Sequence, residues 1–348
     1  MLIFDPVSSG FNGYNLDPAN PSDYHLGFTQ DISSVLSQLQ ALSHCDDFGY
    51  VIHQGANVFT DPVTRLDDCC NFPASFDSRS GSVPPMVREL IQICQQIRPG
   101  ARHSLLCETG FFSHMPLAAA SYAIPRDLYD KGYRRFGGDG LTHQWAWNQI
   151  QSRFSLPHPA RVITIHFCDH PSLASIQDGQ AVDSSMGYSD LEGLPSLTSC
   201  GSIDPAIVLD LSENGLSPAE ITSLLSEKSG FLTLVSPQFT HLGQIISDDS
   251  ASTRLAHDIF FHKTIESIGA AAAELQGLDA LVFIVEDING YDRMINEIGE
   301  QLSFIGISLK VIPDSSLPAA QLSPRDSSPG AFLLQSKRRD ILASFLQH

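Results

Sequence analysis

The chain reads as an α/β protein with room for two domains, and three observations predict this. Strand-like and helix-like segments alternate along nearly its whole length. Its 348 residues can enclose two separate cores. A hydrophobic fraction of 42% suits a globular chain that folds without staples.

Taken in order, MLIFD (1–5) is a strand, and DISSVLSQLQAL (31–42) spaces its apolar residues helically behind Asp31, a cap. GYVIHQG (49–55) is a second strand. PPMVRELIQICQQI (84–97) is a helix opened by proline, whose missing N–H is no loss in a first turn, and HSLLCET (103–109) has strand length. RVITIHF (161–167) is a β-branched strand. SLASI and AVDSS are joined by Gln177-Asp178-Gly179-Gln180, whose Asp-Gly predicts a hairpin. SPAEITSLLSEKSG (217–230) has Ser217 as N-cap, Pro218 in the first turn, Glu220 to close a capping box and Gly230 as stop. Asp204-Pro205 starts another helix. A long helix spans about 252–275, DALVFIVED (279–287) is a buried strand and GISLKVIP (306–313) another. The Pro/Ser-rich stretch 313–329 reads as a loop, and RRDILASFL (338–346) as a short amphipathic helix.

A formal charge of -19, from 39 acidic against 20 basic residues, repels nucleic acid, anionic membranes and free nucleotides, so a phosphate ligand needs a local cationic site. The seven cysteines are odd in number and sit mostly in apolar surroundings, Cys69-Cys70 being adjacent, not metal-spaced. They suit reduced thiols in a cytoplasmic protein. No segment reaches the roughly 18 apolar residues of a membrane span.

One stretch departs from ordinary α/β chemistry. After RVITI the chain continues HFCDHPSLASIQDG (166–179), a strand end where α/β proteins usually place phosphate-binding loops, yet its turn has no glycine and puts Asp169, His170 and Pro171 where a phosphate would approach the backbone.

Three long segments, CETGFFSHMPLAAASYAIPRDLYDKGYRRFGGDGLTH (107–143), VDSSMGYSDLEGL (182–194) and TSCGSIDPAIV (198–208), strongly resemble the acetate kinase family of the actin-like ATPase superfold. The collinearity runs through nearly the whole chain. The resemblance implies two actin-like (ribonuclease H-like) domains, with mixed sheets flanked by helices and a cleft between them. By approximate boundaries the first takes 1–110 plus 336–348 and the second 111–335. It also implies a homodimer, with ATP and a small carboxylate meeting in the cleft.

Measured against the family's motifs, the cleft is altered position by position. HFCDHP matches H-L-G-N-G: His166 stays, Asp169 replaces asparagine, His170 stands in the loop and both glycines are gone. DPVSSGFN matches N-x-G-S-S-S-x-K, with Asp5 for asparagine, Ser8 and Ser9 kept, and Asn12 for lysine. The carboxylate-binding arginine aligns with Tyr50, the transition-state arginine with Ser199, and the catalytic histidine with Asp139, while His143 is retained. Glu108 replaces the metal-linked aspartate, and the second acidic metal position falls in QSKRR, around Lys337 to Arg339. On the nucleotide side, Glu286 and Asp287 replace glycines, and Thr240 and Leu242 replace an aspartate and an arginine.

Phosphoryl transfer to a carboxylate gathers anions, so its catalysis is positioning plus neutralisation by cations, N–H groups and metal. One lost donor costs about 3–4 kcal/mol of barrier, and a directed arginine is worth roughly 10³ to 10⁵ in rate. The expectation is therefore a non-phosphorylating member of the family that binds a partner protein or a small ligand, with no cofactor and no metal. The other reading is a divergent enzyme that forms acyl phosphate from ATP, Mg²⁺ and a short carboxylate. Glu108, Asp139 and His166 can alternatively support other acid/base chemistry, though lone carboxylates are more often solvated or capping. His143 and His166 also suit a role as paired polar groups of the cleft wall. His166, Cys168, His170 and Cys200 form no common zinc pattern, which favours packing.

Overall fold

A computed structural model describes residues 1–7, 10–16, 22–27, 45–55, 58–66, 83–310 and 318–346. The helix expected at 31–42 with its cap Asp31, the loop serines Ser8 and Ser9, and Cys69-Cys70 lie outside these residues.

Two six-stranded mixed sheets form the frame, and each repeats the same strand order. In the first, β1 (Leu2–Val7), β2 (Gly10–Asn15) and β3 (Ser22–Gly27) form an antiparallel meander. β4 (Asp47–Ile52) runs parallel to β1, and β6 (Arg102–Cys107) parallel to β4, while β5 (Val63–Leu66) closes the edge antiparallel to β6. In the second, β7 (Arg161–Phe167), β8 (Ser172–Gln177) and β9 (Gln180–Ser184) are the meander. β10 (Ala280–Val285) and β12 (Gly330–Gln335) are the parallel strands, and β11 (Ala319–Gln321) is the antiparallel edge.

Local chemistry accounts for these elements. β10 is buried at every position, as a central parallel strand covered on both faces must be, and its sequence is accordingly all apolar. The β8–β9 turn has Asp178 at φ 49 and Gly179 at φ 83, both in the left-handed region that a two-residue primed turn demands. Ser217 and Glu220 make the reciprocal capping box. The long helix is Arg254–Glu274.

Two expectations need correction. GISLKVIP contributes no strand over 306–310: Gly306 turns at φ 91, and Lys310 N instead reaches Leu322 O. The strand beside β10 is GAFLLQ, and β11 lies within the stretch read as loop, because Pro/Ser-rich composition hides two short pairing segments on either side of a turn. β2, β3 and β5 also escape a periodicity reading; GFNGYN has two glycines and no apolar alternation.

Packing sets the two sheets against each other. Leu2, Phe4, Tyr50 and Leu105 of the first sheet pack with Val87 and Ile91 of the helix Pro85–Ile97. Its opposite face, with Ile3, Val51 and Leu106, packs on Leu141 and Leu342. Ile341 belongs to the core under the second sheet, with Ile150, Val162 and Val282. The last helix, Arg338–Ser344, is thus wedged between the sheets. The second sheet's other face packs Phe167 and Phe283 on Phe260 and Ile295. Among the described residues, no helix is long and apolar enough to cross a membrane.

Candidate functional site

Strand ends and helix starts meet where the wedge helix begins, and they carry two polar clusters. In the first, Arg338 opens the last helix and faces Asp5 of β1 and Glu108 just after β6. Arg338 donates from Nε to Asp5 Oδ2 at 3.0 Å, from Nη2 to Glu108 Oε1, and from Nη1 to Thr142 Oγ1 at 3.4 Å. Glu108 Oε2 accepts the Leu141 N–H at 3.0 Å. The Asp5 and Glu108 side chains are only 8% and 2% exposed, so their charges depend on this partner. Burial opposes the guanidinium charge, but Glu108 and Asp5 hold its pKa well above the ordinary value. Asp5 Oδ1 has no hydrogen-bond donor among the described residues, His53 Nε2 lying 4.0 Å away.

This arrangement bears directly on the metal that the family resemblance implies. Mg²⁺ needs oxygen ligands at about 2.1 Å in near-octahedral array. Here a guanidinium stands between the two carboxylates and engages both, and its charge would repel a second cation. The residues present do not fit Mg²⁺.

Asp139, His166 and Cys168 form the second cluster. Asp139 precedes the helix Gly140–Arg153 in a left-handed conformation, φ 55, and His166 lies on β7. His166 Nδ1 donates to Asp139 Oδ2 at 3.2 Å, and Cys168 Sγ lies 3.6 Å from the same nitrogen. Ser172 Oγ donates to Asp139 Oδ2 at 2.7 Å. With its proton committed there, Ser172 accepts from His143 Nε2 at 3.0 Å, and the Thr164 hydroxyl donates to His143 Nδ1 at 2.7 Å. The network assigns His143 as neutral.

Electrostatics agrees with that assignment. Burial drives the fully enclosed His143 down to about 3. Burial also works against charge on Asp139 and His166, but each is outweighed by its partners. The His166 hydrogen bond and charge hold Asp139 well below the usual carboxylate range, and Cys168 with Asp139 pushes His166 up to about 10. Because Asp139 and Cys168 both approach Nδ1, the three cannot relay a proton as a nucleophilic triad does, which uses opposite ring nitrogens.

Gly140 fixes the distance between the clusters. A Cβ there would lie 2.0 Å from the Glu108 carbonyl oxygen, so only glycine lets the helix start against this segment.

The remaining sequence-predicted positions fall elsewhere. Tyr50 is fully buried in the first-sheet core, stacked on Phe4 with its hydroxyl 2.9 Å from His103 Nδ1, which leaves no face for a substrate. His143 likewise supports the cleft wall from behind. Ser199 is 1% exposed, and its Oγ has no hydrogen-bond partner among the described residues. Asn12 Oδ1 accepts from His25 Nδ1 at 3.1 Å. Asp169 accepts from His241 Nδ1 at 2.9 Å and from Leu242 N at 2.8 Å, holding the start of the helix Leu242–Ser247. His170 offers its backbone carbonyl to the Cys168 thiol, and Cys200 bonds Gly201 O, so neither joins His166 and Cys168 in a metal set. Glu286 and Asp287 are exposed past the end of β10.

Thr142, Thr164 and Ser172 were not singled out as site residues from sequence. A period-two reading of β7 would have put Thr164 and His166 on one face, and the hairpin register sets Ser172 directly opposite His166. Arg338 lies in the 337–339 stretch that the resemblance aligns with the second acidic metal position, but its pairing with Asp5 comes only through the fold.

Twin six-stranded sheets of one strand order, with a polar seam at their junction, define an actin-like two-domain fold. Among solved structures, the acetate kinase of Entamoeba histolytica superposes with a TM-score of 0.81 at 22% identity, covering 99% of this chain and 98% of that one. A propionate kinase from Francisella tularensis gives 0.79 at 22% identity, covering 98% and 97%. The acetokinase family model matches residues 15–319. The acetate kinase of Dictyoglomus thermophilum is 32% identical over 250 residues, 70% of this chain and 63% of its own length. That of Methanosarcina thermophila is 38% identical over 198 residues, 56% of this chain and 48% of its own. The chain therefore spans less than two thirds of these relatives. It belongs to the acetokinase family.

Proposed function

We propose that this member of the acetokinase family does not carry out metal-dependent phosphoryl transfer and acts by binding a small ligand or a partner protein, as a homodimer. The observation that carries the reading is Arg338: in the stretch aligned with the second acidic metal position, its fixed cation engages Glu108, which replaces the metal-linked aspartate, together with Asp5. The buried Tyr50 and Ser199, which take the places of two arginines by resemblance, support it. The test is hydroxamate trapping of acetyl phosphate from acetate and Mg-ATP with the purified chain. No product above the protein-free background is expected, and calorimetry with Mg-ATP should give no binding heat. Robust turnover would overturn the proposal. Light scattering is expected to return twice the 37.9 kDa chain mass.

One feature favours a second reading. His166, kept from the family's loop, is paired with Asp139 and pushed toward its charged form, which favours a cation in the cleft. A divergent enzyme forming acyl phosphate from ATP and a short carboxylate, with Mg²⁺ held elsewhere, would use it, and the same trapping assay separates the two.

A further inference from the structure

We infer that Asp139, His166 and Cys168 form a binding site for a zinc-like divalent ion, with one coordination position left open to an exchangeable ligand. The three ligand atoms lie within 4.8 Å of one another. Zinc bonds of about 2.0–2.1 Å to nitrogen and oxygen and about 2.3 Å to sulfur, set at the tetrahedral angle, require donor separations of about 3.3 Å for N to O and about 3.6 Å for N to S. The structure has 3.2 Å from His166 Nδ1 to Asp139 Oδ2 and 3.6 Å from Nδ1 to Cys168 Sγ. Those two edges of the ligand triangle already have the required lengths.

Convergence on one ring nitrogen points the same way. An ion on the Nδ1 lone pair is shared naturally by a carboxylate and a sulfur that both approach that atom, whereas proton relay would have placed them on opposite sides of the ring. A carboxylate and a thiolate with a neutral imidazole balance the charge of a divalent ion, and the ion displaces the protons held by the thiol and by Nδ1. Thiolate, imidazole and carboxylate together select zinc-like ions over Mg²⁺ or Ca²⁺, which take oxygen only.

A supporting shell is already in place. Ser172 donates to the Asp139 oxygen nearest His166, His143 donates to Ser172, and Thr164 donates to His143, so a buried chain of hydrogen bonds orients the carboxylate. Partial exposure of the Asp139 and His166 side chains, 27% and 18%, leaves the fourth position reachable from solvent. This site is distinct from the Arg338 cluster and does not depend on whether phosphoryl transfer has been lost.

Cobalt(II), titrated into the full reduced chain, is the probe. The expected result is one equivalent bound, with tetrahedral d–d absorption and a near-ultraviolet thiolate-to-cobalt charge-transfer band, both removed by zinc. Cys168→Ser should abolish the charge-transfer band and weaken binding, and Asp139→Asn should weaken it with the band retained. Ser172→Ala, which leaves all three ligands, should keep the band with binding weakened by about 10- to 100-fold, as expected of a positioning residue. Cobalt without a charge-transfer band, a band that survives Cys168→Ser, or affinity unchanged by all three variants would overturn the site. Circular dichroism on each variant ensures that a lost band reports a lost ligand, and Cys168→Ser is close enough in shape to keep the fold. Because no nucleotide or acetate is present, the result is independent of the kinase assay.

Discussion

Arg338 Nε donates to Asp5 Oδ2 at 3.0 Å, joining the first strand to the last helix across 333 residues of chain. Removing the guanidinium strands two buried carboxylates. Arg338→Met is expected to cost about 3–5 kcal/mol of stability by urea denaturation. Mg²⁺ should raise the melting temperature of this variant and not of the natural chain, because only in the variant are Asp5 and Glu108 released from Arg338. Equal stability of the two proteins would show that the pair contributes nothing.

Ser199→Arg is not expected to bring back phosphoryl transfer. The position is 1% exposed, so the larger side chain must displace packed neighbours at a cost of about 1–3 kcal/mol. Adding Asn12→Lys, Tyr50→Arg and Asp139→His goes further wrong, because Tyr50→Arg puts a charge into the core. Hydroxamate trapping with thermal melts checks both points: the single variant should melt lower and remain inactive, and the combined one should lose cooperative unfolding.

Two glycines on helices should respond in opposite senses to alanine. Gly140→Ala places a Cβ 2.0 Å from the Glu108 carbonyl oxygen and 2.8 Å from Phe111 Cβ, and should cost at least about 3 kcal/mol. Gly269, on the exposed face of the helix Arg254–Glu274, has nothing within 4 Å, and Gly269→Ala should stabilise by about 0.5–1 kcal/mol. Denaturant midpoints of the pair decide this.

His143 predicts an acid limb in the stability profile. Its folded pKa is about 3 against an ordinary 6.5, so between these values the unfolded chain holds one proton more. Stability from this group is complete above pH 6.5 and is lost as pH falls, at about 1.4 kcal/mol per unit. His143→Gln should flatten that limb in urea titrations from pH 7 to 4; an unchanged slope would place the titration elsewhere.

The fold was legible where one element carried its own pattern. All-apolar β10, the Asp178-Gly179 turn and the Ser217 capping box each encode their geometry within a few residues. Strands such as β2 and β11 take their conformation from a neighbouring strand, so the signal lies in the partner's register and not in their own composition. The site divides in the same way. Asp139, His166 and Glu108 could be found by motif, but that Tyr50 points into the core and Arg338 onto Asp5 depends on which faces the two sheets present. Linear order carries no record of that.

Glu108 presses its backbone carbonyl against Gly140 and accepts the Leu141 N–H on its side chain, while Asp139 is the very next residue outward. The two polar clusters consequently share one rigid joint. Whatever draws Asp139 toward a new partner must tilt the same first turn that Glu108 grips, so occupancy at one cluster is linked to the strength of the other, and by reciprocity the linkage has the same magnitude in both directions.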